Sequence, residues 1–180
     1  MNESPEPTDG FRLSPQQRHA WRLHQADGGK AYVAQCALRI EGPWRPETLR
    51  AALENVIKTH EILRTRYVCS AGGELPKQVI DEHTSLCLDE YRLPGRDAQA
   101  FEARCNEVLK ECVDQPRELA ERPPVRFSLV TDAANRSALL ISVSALSMDA
   151  PGLNHLVARI CRAYDAGSRN EQYEDDQLQY

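Results

Sequence analysis

No stretch of this chain approaches the ~18 consecutive apolar residues that a bilayer-spanning helix needs, so no membrane-crossing segment is expected. Nor is there a cluster of Lys or Arg. Twenty-two basic side chains are scattered among 27 acidic ones, for a net charge of −5 over 180 residues, which weighs against nucleic acid or an anionic membrane as the main partner. Six cysteines occur (Cys36, Cys69, Cys87, Cys105, Cys112 and Cys161), yet none form C-x-x-C. Buried, reduced thiols in a cytoplasmic protein are the expectation, with disulfides or a zinc site as the alternatives. No histidine pair has the H-x-x-x-H spacing, and neither a glycine-rich phosphate loop nor G-x-S-x-G is present. Metal, nucleotide and serine-hydrolase chemistry therefore lack a motif.

What is present is the composition of a globular protein: 41% hydrophobic and 27% charged residues, enough for one domain with a sizeable core. Met1–Gly10 is polar and acidic with two prolines and lacks the apolar core of a secretory signal, so it reads as a flexible tail. Ser14 precedes Pro15 and stands three residues before Gln17, a capping-box pattern that opens a helix running to about Asp27, where Gly28-Gly29 stops it. Tyr32–Ile40 reads as a strand. Pro46 opens a second helix, with Leu49, Ala52, Leu53, Val56 and Ile57 at one-face spacing.

Leu63–Cys69 reads as a strand, Ala71-Gly72-Gly73 as a turn, and Gln78–Ile80 as a strand pairing back. Leu86–Tyr91 is a weaker strand. Asp97 caps a third helix that presents Phe101, Cys105, Val108, Leu109 and Cys112 and ends at Pro116. Val125, Phe127 and Leu129 alternate as in a half-buried strand, Ala134-Asn135-Arg136 turns the chain, and Ala138–Val143 is a central strand buried on both faces. A fourth helix follows Pro151, with Leu153, Leu156, Val157, Ile160, Cys161 and Tyr164 inward, and a polar loop begins at Gly167. The order of elements predicts an α+β fold, a mixed β-sheet flanked by helices.

Three segments carry a resemblance. Leu13 to Trp21, with Ser14, Gln17, Arg18 and Trp21 as its key positions, resembles the opening motif "S-x-A/P-Q-x-R-x-W" of nonribosomal peptide synthetase condensation domains. His60 to Tyr67, with His60, Glu61, Leu63, Arg64 and Thr65, resembles their "R-H-E-x-L-R-T-x-F", with Thr59 where the family has its leading Arg. Ser144 to Ala150 occupies the place of "H-H-x-x-x-D-G": Asp149 is kept, both His are replaced (by Ser144 and Ala145), and so is the Gly. Leu178-Gln179-Tyr180 is similar to the start of "L-Q-Y-A-D". The resemblance implies the chloramphenicol-acetyltransferase-like fold, with residues 11–180 as the first of two lobes and the second lobe absent.

The family's reaction is attack of an amine on a thioester, both substrates riding on phosphopantetheine arms of carrier proteins. By resemblance the second His of the motif takes or holds the amine proton, a role suited to imidazole because its pKa lies near neutrality. Ala145 cannot do this, and Ser144 is a poor substitute. General acid–base help contributes about 10²–10⁴-fold, while tethering still supplies positioning. Asp149 would pair with Arg64, as the family's structural Asp pairs with the Arg of L-R-T, or would cap the helix at Pro151.

The remaining histidines do not form a site in sequence: His19 and His24 stand at i and i+5, His83 lies in a polar loop, and His155 is off the apolar stripe. Ser147 has no base near it. No directly bound cofactor is implied beyond the partners' phosphopantetheine. The partners implied are peptidyl carrier proteins, other assembly-line domains or a tailoring enzyme, as for related degenerate domains, and the apolar patch left by a missing lobe invites self-association. Three readings stay open: a non-catalytic scaffold, the excised half of an active amide-forming domain, or a gene remnant.

Overall fold

The computed structural model describes residues 10–27, 32–70, 75–82, 85–115, 118–169 and 171. The readings at Met1–Asp9, Gly28-Gly29, Ala71-Gly72-Gly73, His83, Pro116 and Leu178-Gln179-Tyr180 lie outside them. The elements run β1 (Phe11–Arg12), α1 (Pro15–Asp27), β2 (Val33–Ile40), α2 (Pro46–Thr59), β3 (Thr65–Val68), β4 (Lys77–Ile80), β5 (Leu88–Leu93), α3 (Ala98–Asp114), β6 (Val125–Asp132), β7 (Ser137–Ser144) and α4 (Ala150–Ser168). The fold is α+β.

Four strands form the main sheet in the order β2-β7-β6-β5. It is mixed because β5 and β6 are joined through α3. A crossover helix of that length returns the chain parallel, whereas the tight turn at Asn135 (φ 62°) sends β7 back antiparallel to β6. All eight residues of β7 are buried. Leu139, Ile141 and Val143 face the core built with α2 and α4, while Ala138 and Leu140 face Phe101, Cys105, Val108 and Cys112 of α3. The five apolar residues at one-face spacing in α2 are its five buried residues. β1, β4 and β3 form a separate small sheet.

Several expectations are corrected. The strand read from Leu63 begins at Thr65, because Glu61–Arg64 forms a 3₁₀ turn in which Thr65 Oγ1 donates to the Glu61 carbonyl oxygen at 2.7 Å. β6 is buried on both faces rather than one, since helices cover the sheet front and back. β5 starts at Leu88 and runs two residues past Tyr91. α4 continues to Ser168, and Cys161 lies exposed on its outer side. All six cysteines are thiols rather than disulfides, but only Cys105 and Cys112 are buried. Cys36 is half-buried, and Cys69, Cys87 and Cys161 are exposed.

Candidate functional site

β7 ends in a tight turn that carries the degenerate motif. Ser144 is buried, and its backbone N–H donates to the Pro124 carbonyl oxygen at 3.0 Å. Its hydroxyl accepts the Leu146 N–H at 3.3 Å, so the one polar group at the first motif position is spent within the turn. Its carbonyl oxygen accepts from the N–H groups of Ser147 (2.9 Å) and Met148 (3.1 Å). Ala145 is half-buried, and its N–H donates to the Tyr32 carbonyl oxygen at 2.9 Å. The backbone N–H groups of both residues are engaged, and the side chain of Ala145 is a methyl group.

Tyr67 brings the three motif segments together. Its ring is buried in a small core with Leu13, Trp21, Leu119 and Leu146. Its hydroxyl donates to the Leu146 carbonyl oxygen at 2.9 Å and lies 2.9 Å from Ser147 Oγ. From the first segment, Gln17 Nε2 donates to the same Leu146 oxygen at 3.2 Å and to Gln78 Oε1 of β4 at 3.0 Å. The capping box holds Gln17 in place: Ser14 N–H donates to Gln17 Oε1 at 2.9 Å, and Gln17 N–H donates to Ser14 Oγ at 3.2 Å. Arg18 Nε donates to the Leu13 carbonyl oxygen at 3.3 Å. Burial pushes the Tyr67 phenol above its ordinary pKa, and the contacts with Ser147 and Gln17 oppose that shift only partly. Ser147 therefore meets a neutral phenol rather than a base.

The second segment is otherwise structural. His60 closes α2, its N–H donating to the Val56 carbonyl oxygen at 3.1 Å. Burial lowers the imidazole pKa, and the Arg159 cation lowers it further. Leu63 is fully buried in the main core.

The expected pair of Arg64 with Asp149 is not formed. Arg64 Nη1 donates to the Asp81 carbonyl oxygen at 2.6 Å, and Nη2 lies 3.6 Å from Glu61 Oε1. Asp149 is exposed and caps α4, its Oδ1 accepting the Gly152 N–H at 2.8 Å. The cap satisfies the carboxylate locally, and the 3₁₀ turn directs Arg64 toward β4. The arginine that grips a carboxylate through two guanidinium nitrogens is Arg66, two residues on. Its Nε lies 2.8 Å and its Nη2 2.8 Å from opposite oxygens of Asp81, and Nη1 donates to the Ala120 carbonyl oxygen at 2.9 Å.

Among the described residues no group of three or more His, Cys, Asp or Glu is placed to hold a metal ion. Reading the sequence alone found the capping-box role of Gln17 but missed its reach to Leu146 and the side-chain roles of Gln78 and Tyr67. A tyrosine at the end of a strand motif was the available signal for the last, because a buried phenol requires a hydrogen-bond partner.

The Condensation domain family matches residues 8–180 of the chain. Surfactin synthase subunit 1 of Bacillus subtilis is 27% identical over 179 residues, covering 99% of this chain and 5% of its own length. Chondramide synthase of Chondromyces crocatus is 28% identical over 175 residues, covering 96% of this chain and 4% of its own length. The first condensation domain of the calcium-dependent antibiotic synthetase superposes with a TM-score of 0.82 at 19% identity, over 94% of this chain and 40% of that one. The X-domain from teicoplanin biosynthesis superposes at 0.78 and 24% identity, over 99% of this chain and 36% of that one. The chain thus spans a small part of the curated synthases and well under half of the two solved domains, and its fold recurs in those two domains. This chain belongs to the condensation-domain family.

Proposed function

We propose that the chain serves as a non-catalytic lobe of a nonribosomal peptide synthetase assembly line, docking carrier proteins or a tailoring enzyme rather than forming the amide bond. The observation that carries this reading is the turn after β7. Its side chains offer a methyl group at Ala145, a hydroxyl at Ser144 already bonded within the turn, and Ser147 against a phenol that burial keeps neutral. None of these accepts an amine proton near neutral pH. The phosphopantetheine arm in this scheme belongs to the carrier.

A docking role also suits α1. From Gly10 to Ala26 there is no carboxylate, while Arg12, Arg18, His19 and Arg22 are exposed, in a chain whose net charge is −5. That surface favours a partner with an acidic face. One solved neighbour of the same fold is an X-domain in complex with OxyB.

A second reading is an active domain completed by further chain. It is favoured by the 36–40% share that this chain spans of the solved domains. The test incubates the chain with an acyl-loaded and an aminoacyl-loaded carrier protein and follows both by intact-protein mass spectrometry. No amide product above the protein-free rate is expected. Heat-labile product would overturn the non-catalytic reading. Binding of either carrier, lost in Arg18→Glu/Arg22→Glu, is the positive arm.

A further inference from the structure

β5 closes the main sheet on one side, and its outer edge has no strand partner among the described residues. Its neighbour α3 lies mainly over β6, β7 and β2. Beside β5 this leaves an open groove of about 620 Å³ lined by Leu93, Ala100, Ala103, Arg104 and three further α3 residues. An uncovered edge presents unpaired N–H and C=O groups and is a template for another strand. Proteins usually guard such edges with charge. Here the charges of Leu88-Asp89-Glu90-Tyr91-Arg92-Leu93 are ordered so that they match a second copy of the same strand.

The register follows from geometry. Two identical strands related by a two-fold axis through the sheet run antiparallel, and directly opposed residues point to the same face. Opposed residue numbers must then sum to an even number. Centring the axis on Glu90 sets that carboxylate against its own copy, which is repulsive. Centring it on Tyr91 sets Glu90 opposite the partner's Arg92 and, by symmetry, Arg92 opposite the partner's Glu90, both on the α2 side of the sheet. On the α3 side it brings together two tyrosine rings. Opposed side chains in such a pair have Cβ atoms about 4.5–5.5 Å apart, within reach of both contacts.

The surrounding residues are compatible. Arg92 is exposed and has no ion-pair partner among the described residues, while Glu90 already lies against Arg50 of α2 and would sit between two guanidinium groups. Arg104 stacks over the Tyr91 ring at 4.7 Å and stays on the groove side.

We infer that the β5 edge is a self-association surface, on which two copies of this chain pair antiparallel about Tyr91 to form one continuous eight-stranded sheet. The interface is small, so the dimer is weak and concentration-dependent. This surface is independent of the turn after β7 and of α1.

Sedimentation equilibrium of the 180-residue chain tests it. A monomer–dimer equilibrium is expected. Glu90→Arg or Arg92→Glu alone should weaken it at least about tenfold, because symmetry turns two attractive contacts repulsive at once. The exchanged double variant Glu90→Arg/Arg92→Glu should restore it, which a mere loss of folding would not do. With Cys69, Cys87 and Cys161 replaced by Ser, oxidation should link Tyr91→Cys chains to one another far faster than Glu90→Cys chains, since only residue 91 opposes itself. A monomer at all concentrations, a dimer indifferent to both reversals, or faster linking through residue 90 would each overturn the inference.

Discussion

The phenol of Tyr67 donates to the backbone carbonyl oxygen of Leu146 at 2.9 Å, tying the end of β3 to the turn that follows β7. Gln17 reaches the same oxygen from α1. Segments far apart in sequence are thereby pinned at one atom, and the turn that carries Ala145 is held from below. Tyr67→Phe keeps the ring in its core and removes the hydroxyl, leaving the Leu146 oxygen with Gln17 alone. A loss of about 1–2 kcal/mol in urea unfolding is expected. A loss within experimental scatter would mean that the turn does not depend on the phenol.

Burial also gives Tyr67 a signature in alkali. Its folded pKa is raised, so the folded state holds the phenol proton more tightly than the unfolded chain does. The associated stability is complete below the unfolded value near 10.0 and declines as pH rises through the folded one. Tyr91 is also raised, by burial first and by the Asp89 carboxylate second, so an ultraviolet titration should show late-ionising tyrosines, and Tyr67→Phe should reduce that late component rather than abolish it. Stability measured across the same range should fall less steeply in the variant. Identical alkaline slopes would contradict the assignment.

His60 has the opposite sign. Burial first, and the Arg159 cation second, disfavour its imidazolium in the fold. A depressed histidine contributes stability that is present above its unfolded value, 6.5, and is lost as pH falls through the folded one. His60→Gln should flatten the stability profile on the acid side of 6.5. An NMR titration placing the His60 midpoint at or above that value would reverse the expectation.

What the sequence disclosed followed from periodicity. The buried faces of α2 and α3 and the nearly continuous apolar run Ala138–Val143 of β7 could be read because burial on one or both faces writes itself into spacing. The three motif segments were legible as segments, but not the way they meet. The spacing of Ser14-x-x-Gln17 announces the capping box, but nothing in it indicates that Gln17 also reaches Leu146, 129 positions on. The Arg64 expectation failed for a local reason. A four-residue 3₁₀ turn shifts the side-chain directions, so that Arg64 meets Glu61 of that turn and the Asp81 carbonyl oxygen instead of Asp149. The exposure of Cys161 was hidden because cysteine fits an apolar stripe and its solvent side equally well.

The contrast between Arg64 and Arg66 can be measured by double-mutant cycles. Arg66 and Asp81 face each other through two guanidinium nitrogens with both side chains partly exposed, so a coupling of about 1 kcal/mol is expected. Arg64→Ala and Asp149→Ala should instead add within about 0.5 kcal/mol. Asp149→Ala alone should cost about 1 kcal/mol, through the lost cap on Gly152. A coupling of several kcal/mol between residues 64 and 149 would restore the buried pair that the family resemblance implied.

Ala145→His tests whether this turn keeps the geometry that its family uses for an imidazole. Ala145 is half-buried, at the rim between the main sheet and the small core around Tyr67, and only its backbone N–H is committed, to Tyr32. A ring attached there has an outlet to solvent. An imidazole in contact with water titrates near its ordinary value, whereas one forced into an apolar core is held neutral and overpacks its surroundings at about 1–3 kcal/mol. The variant should therefore unfold within about 1 kcal/mol of the parent, and an NMR titration should show one additional imidazole with near-normal behaviour. Amide formation by this chain alone should stay at the protein-free rate, because an imidazole on one wall supplies a proton acceptor but no second wall to orient the thioester. Appended to the second lobe of a related domain, the same variant should exceed its Ala145 parent in condensation rate. An imidazole that never titrates, or a variant that fails to fold, would place residue 145 in the core and undo the alignment of Ser144–Ala150 with the histidine motif.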